Sequence, residues 1–204
     1  MRASPVFAVG AFRTALLASP EAVAAEFSKR RAIACANAIE PDLLASLMRL
    51  CREGHFESNE VKDLGHREVE NPQRAGRTLT HVLKRAELLG WIEGATACGT
   101  LETVEGRVVR ALANDHDQLL WHDDLDDPRR RLAITVNLSE HGYEGGLFEL
   151  REKRTGKLLV AHHHLEPGTA LIFDVGYDIE HRVLPVRSGG PRCVYTGWFY
   201  KGAK

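Results

Sequence analysis

Apolar positions follow two different rhythms along the chain. Up to about residue 100 they recur three and four apart, the spacing of a helix face. Beyond it they alternate or run in short β-branched blocks, the spacing of strands. Ser19-Pro20-Glu21 predicts a helix start, with a side-chain cap, proline at the first helical position and early negative charge; the helix runs to about Lys29. Arg31 to Cys35 reads as a short strand leading into a second helix from near Pro41. That helix gathers Leu43, Leu44, Leu47, Met48, Leu50 and Cys51 on one side. Thr78 to Arg85 and Glu87 to Ile92 carry further helical pattern. Between these, Glu57 to Gly76 is polar, contains Pro72 and keeps no period. A long loop is predicted there, serving as a lid or binding loop or simply as solvated surface.

The second half yields strands at "LETVEGRVVRAL", "RLAITVNLS", "TALIFDV" and "RCVYTGWFY", and a hairpin turning about Thr155-Gly156. Strands at such short intervals predict an all-β sandwich or barrel with the helices packed outside. A length of 204 residues supports one sizeable core and crowds two, and no repeat, linker or low-complexity tract divides the chain. A single domain over 1–204 is expected, with 1–100 mainly helical support and 101–204 the strand core.

Composition changes this picture little. A formal net charge of -1 argues against a general nucleic-acid binder, although a local basic groove stays open. Cys35, Cys51, Cys98 and Cys193 are far apart and form no CxxC pair, so they read as core thiols in a reducing cytoplasm. With no eighteen-residue apolar span and no clean signal segment, a cytoplasmic protein without a membrane partner is expected; oligomeric state is left open.

The candidate chemistry lies in "LLWHDDLDD", residues 119–127. In extended backbone His122 and Asp124 project to one face, so an imidazole and a carboxylate can reach one ion from one strand end. His181, after "LIFDVGYDIE" and before "VLPV", is the best third ligand. Two histidines and one carboxylate form a facial triad that leaves positions open on Fe(II). H-x-D alone is weak, because the pair recurs by chance and equally describes a solvated loop. Arg192 adds weight. On a strand it shares a face with Val194, Thr196 and Trp198, and a guanidinium pointing into a barrel needs an anion. A core ion pair or an edge position in water would serve it equally well.

Taken together, "WHDD", "RLAITVNLS", "EGGLFEL", "PGTALIFD" and "HRVLPVRSGGPRCVYTGWF" make the stretch from Val104 to Tyr200 resemble the iron(II)/2-oxoglutarate-dependent dioxygenase superfamily, in its prolyl 4-hydroxylase-like branch. The resemblance implies an α+β fold: a double-stranded β-helix (jelly-roll) core with supporting N-terminal helices. It implies Fe(II) held by His122, Asp124 and His181, with 2-oxoglutarate and O2 as cosubstrates. Arg192 would grip the distal carboxylate of 2-oxoglutarate, Thr196 would help through its hydroxyl, and Trp198 would pack near the metal. Thr135 and Asn137 sit where the family places residues beside the cosubstrate. The tyrosine common there is missing from "AITVNLS", and Asn137 is the substitute contact expected. The implied reaction hydroxylates an unactivated C–H bond with release of succinate and CO2. An aspartate at 124 favours hydroxylation or demethylation over halogenation, since related halogenases carry a small residue there.

Neighbouring residues have plainer readings. Asp123 should point away from the metal by alternation. Asp126 and Asp127 pair locally with Arg129, Arg130 and Arg131. His162, His163 and His164 cannot all face one ion from a regular strand, and His116 and His141 fit rim or core positions. Gly145-Gly146 marks a tight backbone passage between strands. The substrate is open among a peptide or protein side chain, an amino acid and a small metabolite, and a nucleic-acid substrate is disfavoured. Two rivals stand beside the oxygenase. One is a cupin-like metalloenzyme without 2-oxoglutarate, or a zinc hydrolase; the other is a non-enzymatic β-sandwich module with a structural metal.

Overall fold

The computed structural model describes residues 3–114 and 116–202. A small ribbon of β1 (Phe7–Val9) and β2 (Thr14–Leu16) precedes α1 (Pro20–Arg30), β3 (Ala32–Cys35) and α2 (Pro41–Glu53). Then come β4 (Phe56–Val61), β5 (Gly65–Glu70), α3 (Ala75–Leu83) and α4 (Ala86–Thr96). The strand-rich half comprises β6 (Leu101–Ala111), β7 (Leu119–His122), β8 (Arg130–Asn137), β9 (Tyr143–Gly145), β10 (Phe148–Glu152) and β11 (Leu158–His162). It continues through β12 (Ala170–Asp174), β13 (Ile179–Val183), β14 (Val186–Gly189) and β15 (Arg192–Lys201).

Two antiparallel sheets face each other. The major one has the order β3-β12-β8-β15-β6-β5-β4, and the minor one β11-β10-β13-β7. Strand alternation explains the two cores. Leu132, Ile134, Ile172, Tyr195 and Phe199 point from the major sheet to the helices. There they join Leu47, Leu79, Leu88 and Ile92 in one buried cluster. The residues between them, Ala133, Leu171, Phe173, Trp198 and Tyr200, point the other way and pack on Phe148, Leu150 and Val160 of the minor sheet. This is the jelly-roll sandwich expected of a double-stranded β-helix, with helices covering one face.

The early elements differ from expectation in instructive ways. α1 starts at Pro20 as predicted, but the Ser19 side chain makes no cap hydrogen bond. The 57–76 loop is instead mostly a β-hairpin. β4 and β5 pair from Phe56↔Glu70 to Val61↔Gly65 and extend the major sheet through β6. Its sequence carries charges on both faces of an edge ribbon, so no apolar alternation marks it. α3 also begins three residues before the predicted Thr78. The buried Glu70 carboxylate accepts the backbone N–H groups of Ala75 and Gly76, satisfying donors that the helix itself cannot.

Candidate active site

The site forms where the minor sheet meets the open side of the major one. β7 pairs with β13 so that His122 stands directly opposite His181, with ring centroids 4.1 Å apart. His181 is held from behind by Phe173 and Phe148, at centroid distances of 4.8 and 5.6 Å. Asp124 reaches the same point by another route than alternation. β7 ends at His122, and Asp124 adopts a left-handed φ of 59°, turning its carboxylate back over the strand end. Its Oδ1 lies 3.6 Å from His122 Nε2 and its Oδ2 3.4 Å from His181 Nε2. One ligand atom from each of the three side chains falls within 4.8 Å of the others, so the three can close on one ion.

Surrounding groups fix each donor. His122 Nδ1 donates to the Leu120 carbonyl at 2.7 Å, which leaves Nε2 as the free lone pair. The Trp198 indole donates to Asp124 Oδ2 at 2.8 Å, and Arg130 donates to the Asp124 carbonyl while stacking 4.1 Å over the Trp198 ring. Burial pushes the Asp124 carboxyl up, but His181, His122, the indole and Arg130 outweigh it and hold the group below the usual carboxylate range. Burial pulls His181 down to about 3 against the opposing pull of Asp124, so its ring is neutral at pH 7. A carboxylate and two neutral imidazoles are what a divalent ion requires.

Asp123 lines the same cleft, but it stands outside the cluster of three ligands. It pairs with Lys153 and accepts the Leu125 N–H. Asp127 pairs with Arg129 at 2.7 Å, and Asp126 lies 3.7 Å from Arg130. The acidic run is therefore one clustered carboxylate among neighbours that pair with cations.

The triad's cleft continues into an apolar cavity. Arg67, Leu119, Thr135, Val183 and Thr196 line both, and Arg192 lines the second. Arg192 is 5% exposed, and its Nε has no hydrogen-bond partner. Among the described residues no carboxylate forms an ion pair with it, so the core ion pair allowed by the sequence is not what holds this charge. A buried guanidinium without a counter-charge, facing a cavity that opens onto the triad, fits a carboxylate ligand. Thr196 and Thr135 are opposite each other across β15 and β8 and line that route.

Asn137 does not line either space. Its amide donates to the His164 carbonyl and accepts the Ser139 N–H, fastening the end of β8. Tyr143 of β9 lies beside Arg192 but likewise lines neither space. Tyr143 donates to the His164 carbonyl at 2.6 Å, and burial raises its phenol while the adjoining Arg192 pulls it down. Gly146, at φ 61°, passes so close that a Cβ there would sit 2.7 Å from Arg192 Cδ. Gly146 thus leaves room for the arginine's side chain, while Gly145 passes against the Pro185 carbonyl.

Residues 107–200 match the family model of the 2OG-Fe(II) oxygenase superfamily. Those residues, most of the strand-rich half of this chain, are similar to that superfamily. Its activity class is that of an Fe(II)- and 2-oxoglutarate-dependent dioxygenase, using O2. No curated protein matches the chain. Among solved structures, a Pseudomonas putida prolyl-4-hydroxylase is similar at a TM-score of 0.67 and 21% identity, covering 90% of this chain and 100% of the other. An oxidoreductase of the 2OG-Fe(II) oxygenase family from Burkholderia pseudomallei gives 0.68 at 14% identity, over 91% and 92%. A Trichoplax adhaerens prolyl hydroxylase, solved with a peptide of hypoxia inducible factor, gives 0.68 at 14%, over 89% of each. These likenesses establish the double-stranded β-helix fold. No helix among the described residues is long and apolar enough to cross a membrane.

Two histidines of the oxygenase beside the Arg192 cavity carry a pH signature. His162 and His164 are 5% and 1% exposed, with ring centroids 4.6 Å apart, and Thr135 Oγ1 lies 2.7 Å from His164 Nε2. Burial, reinforced by neighbouring positive charge that includes Arg192, lowers His162 from 6.5 to about 4; burial lowers His164 further still. The unfolded chain then binds more protons than the folded one between about pH 6.5 and 4. Stability is full above that window and falls as pH drops through it. Urea unfolding of the metal-free protein is expected to lose about 3 kcal/mol from His162 alone between pH 7.5 and pH 4. His162→Gln should flatten the upper part of that profile, and an unchanged slope would show that His162 is protonated in the fold.

Proposed function

We propose that His122, Asp124 and His181 hold Fe(II), that Arg192 receives the distal carboxylate of 2-oxoglutarate, and that the enzyme hydroxylates an unactivated C–H bond. The observation that carries this reading is the buried Arg192, with no carboxylate paired to it and its Nε unbonded, in the cavity leading from the triad. Thr196 and Thr135 supply hydroxyls along the route, and Asn137 supports it indirectly by fixing the His164 carbonyl. Bound at the triad, the iron would supply the O2 chemistry, with succinate and CO2 as coproducts. The chain's own part is placement. The Asp124 carboxylate is oriented by Trp198, the His122 lone pair is aimed by Leu120, and the apolar walls of Leu119, Val183 and Val194 keep water from the cosubstrate.

The substrate belongs to the group of peptide or protein side chains, amino acids and small metabolites; the Trichoplax enzyme's peptide supports the first of these by analogy. The chain works as one domain, because the helices and the major sheet share a continuous core. A reducing, cytoplasmic setting suits four free thiols, Cys51 and Cys193 lying side by side.

Succinate release screened over these substrate classes tests the reading, with product masses separating gain of one oxygen from loss of a methyl group. Substrate conversion that proceeds without 2-oxoglutarate would transfer the site to the cupin-like alternative.

A further inference from the structure

The face of β5 and β6 turned toward the cleft carries an unbalanced charge. Their register, Glu68↔Arg110 and Val69↔Val109, sets Arg67 and Arg107 on the inward face with Val109. On the outward face Glu68 and Arg110 neutralise each other. Inward, both arginines line the triad's cleft, and among the described residues no carboxylate forms an ion pair with either. Arg67 Nε is buried without a hydrogen-bond partner. Arg107 stands 5.9 Å from the centroid of the Trp198 ring, which itself donates to Asp124.

The other charges of the cleft are already matched. Asp123 has Lys153, and Asp126 lies beside Arg130. In the oxygenase reading, Asp124 and the two carboxylates of 2-oxoglutarate offset the ion and Arg192. Arg67 and Arg107 then face the substrate side with their charge uncompensated. A neutral substrate closing over them would strip their water and give nothing back. An oxyanion would meet two forked donors held on paired strands.

We propose that Arg67 and Arg107 form an oxyanion subsite beside the triad, so that the substrate oxidised here carries a carboxylate or a phosphate. The proposal rests on the oxygenase reading for its meaning, yet the subsite can be measured without iron or cosubstrate. Metal-free protein carrying Arg192→Gln removes the cosubstrate's guanidinium. Tryptophan emission is then titrated with N-acetyl amino acids against their N-methylamides, and with O-phosphorylated hydroxy amino acids against the unphosphorylated forms. The two arms distinguish carboxylate from phosphate.

The anionic member of at least one pair type is expected to bind about 10- to 100-fold more tightly than its neutral partner, and addition of Arg67→Gln or Arg107→Gln should erase that preference. Equal binding within every pair, or a preference that survives both substitutions, overturns the subsite. Arg67→Lys, which keeps the charge but loses the fork, should retain part of the preference and guards against a folding artefact. In the iron-loaded enzyme, Arg107→Gln, whose side chain lines the triad's cleft and not the Arg192 cavity, should lower kcat/KM for the anionic substrate about 10- to 100-fold and leave the KM for 2-oxoglutarate unchanged. A raised 2-oxoglutarate KM with unchanged substrate preference would assign Arg107 to the cosubstrate and overturn the proposal. Failure of the oxygenase reading shows separately, as the absence of a charge-transfer band when the wild-type Fe(II) protein meets 2-oxoglutarate.

Discussion

Asp124→Ala is expected to abolish stoichiometric Fe(II) binding in an anaerobic titration and to stop turnover. The carboxylate is the only charged donor among the three clustered ligands, and its two oxygens lie 3.6 and 3.4 Å from the imidazole nitrogens. Without it, two neutral rings would have to hold a dication in a cleft that already contains Arg67, Arg107 and Arg130. Loss of an outer hydrogen-bonding partner to a metal ligand typically lowers affinity roughly 10- to 100-fold, and loss of the ligand itself should exceed that. The fold should survive, because Asp124 lies beyond the end of β7 and its removal opens no apolar core. Asp126→Ala is the control. That side chain is 91% exposed, and the variant should bind iron as the wild type does. Unchanged Fe(II) affinity in Asp124→Ala would reject the ligand assignment.

The clustering of His122, Asp124 and His181 and the inward facing of Arg192 are legible in the sequence, while the placement of Arg67 and Tyr143 is not, for reasons of position. His181 and Arg192 belong to strands whose apolar alternation is strong, so their facing could be read from their neighbours. In β15, Cys193, Tyr195 and Phe199 turn to the helices, while Arg192, Val194, Thr196 and Trp198 turn to the site. His122 and Asp124 come together by another route than their spacing suggests. Two-residue spacing in a strand would align them, but the left-handed turn at Asp124 does so here, and no local residue pattern announces it. Tyr143 reaches Arg192 from a three-residue strand remote from "AITVNLS". Only the tertiary register of β9 with β14 brings it there. Arg67 lies in a hairpin written almost wholly in polar residues. Such a ribbon is held by its ladder to β6 rather than by an apolar face, so the sequence pattern cannot locate it. Asn137 shows what a shared face does not settle. It shares a face with Thr135, but the strand stops there and its amide is consumed by the backbone that turns away.

Arg192→Gln should leave Fe(II) binding intact while removing the response to 2-oxoglutarate. The wild-type Fe(II) protein is expected to develop a metal-to-ligand charge-transfer band on anaerobic addition of the cosubstrate, and the variant should need far more of it. Truncating one partner of a buried charge pair costs roughly 2–5 kcal/mol, which corresponds to about 30- to 5000-fold in affinity. The upper part of that range is expected, because Val109, Val183 and Val194 line the cavity around Arg192, and its one acid, Asp117, is already taken up by His66 and the Leu112 N–H. Arg192→Lys keeps the charge and loses the two-pronged geometry, so it should fall between the two. The decisive comparison uses 2-oxobutyrate, which has the same chelating 2-oxo acid but no distal carboxylate. Wild type and Arg192→Gln should bind it equally weakly, since the guanidinium has nothing to grip. If the substitution weakens 2-oxobutyrate as much as 2-oxoglutarate, then Arg192 is shaping the cavity rather than reading the carboxylate. In that case its buried charge would require another anion.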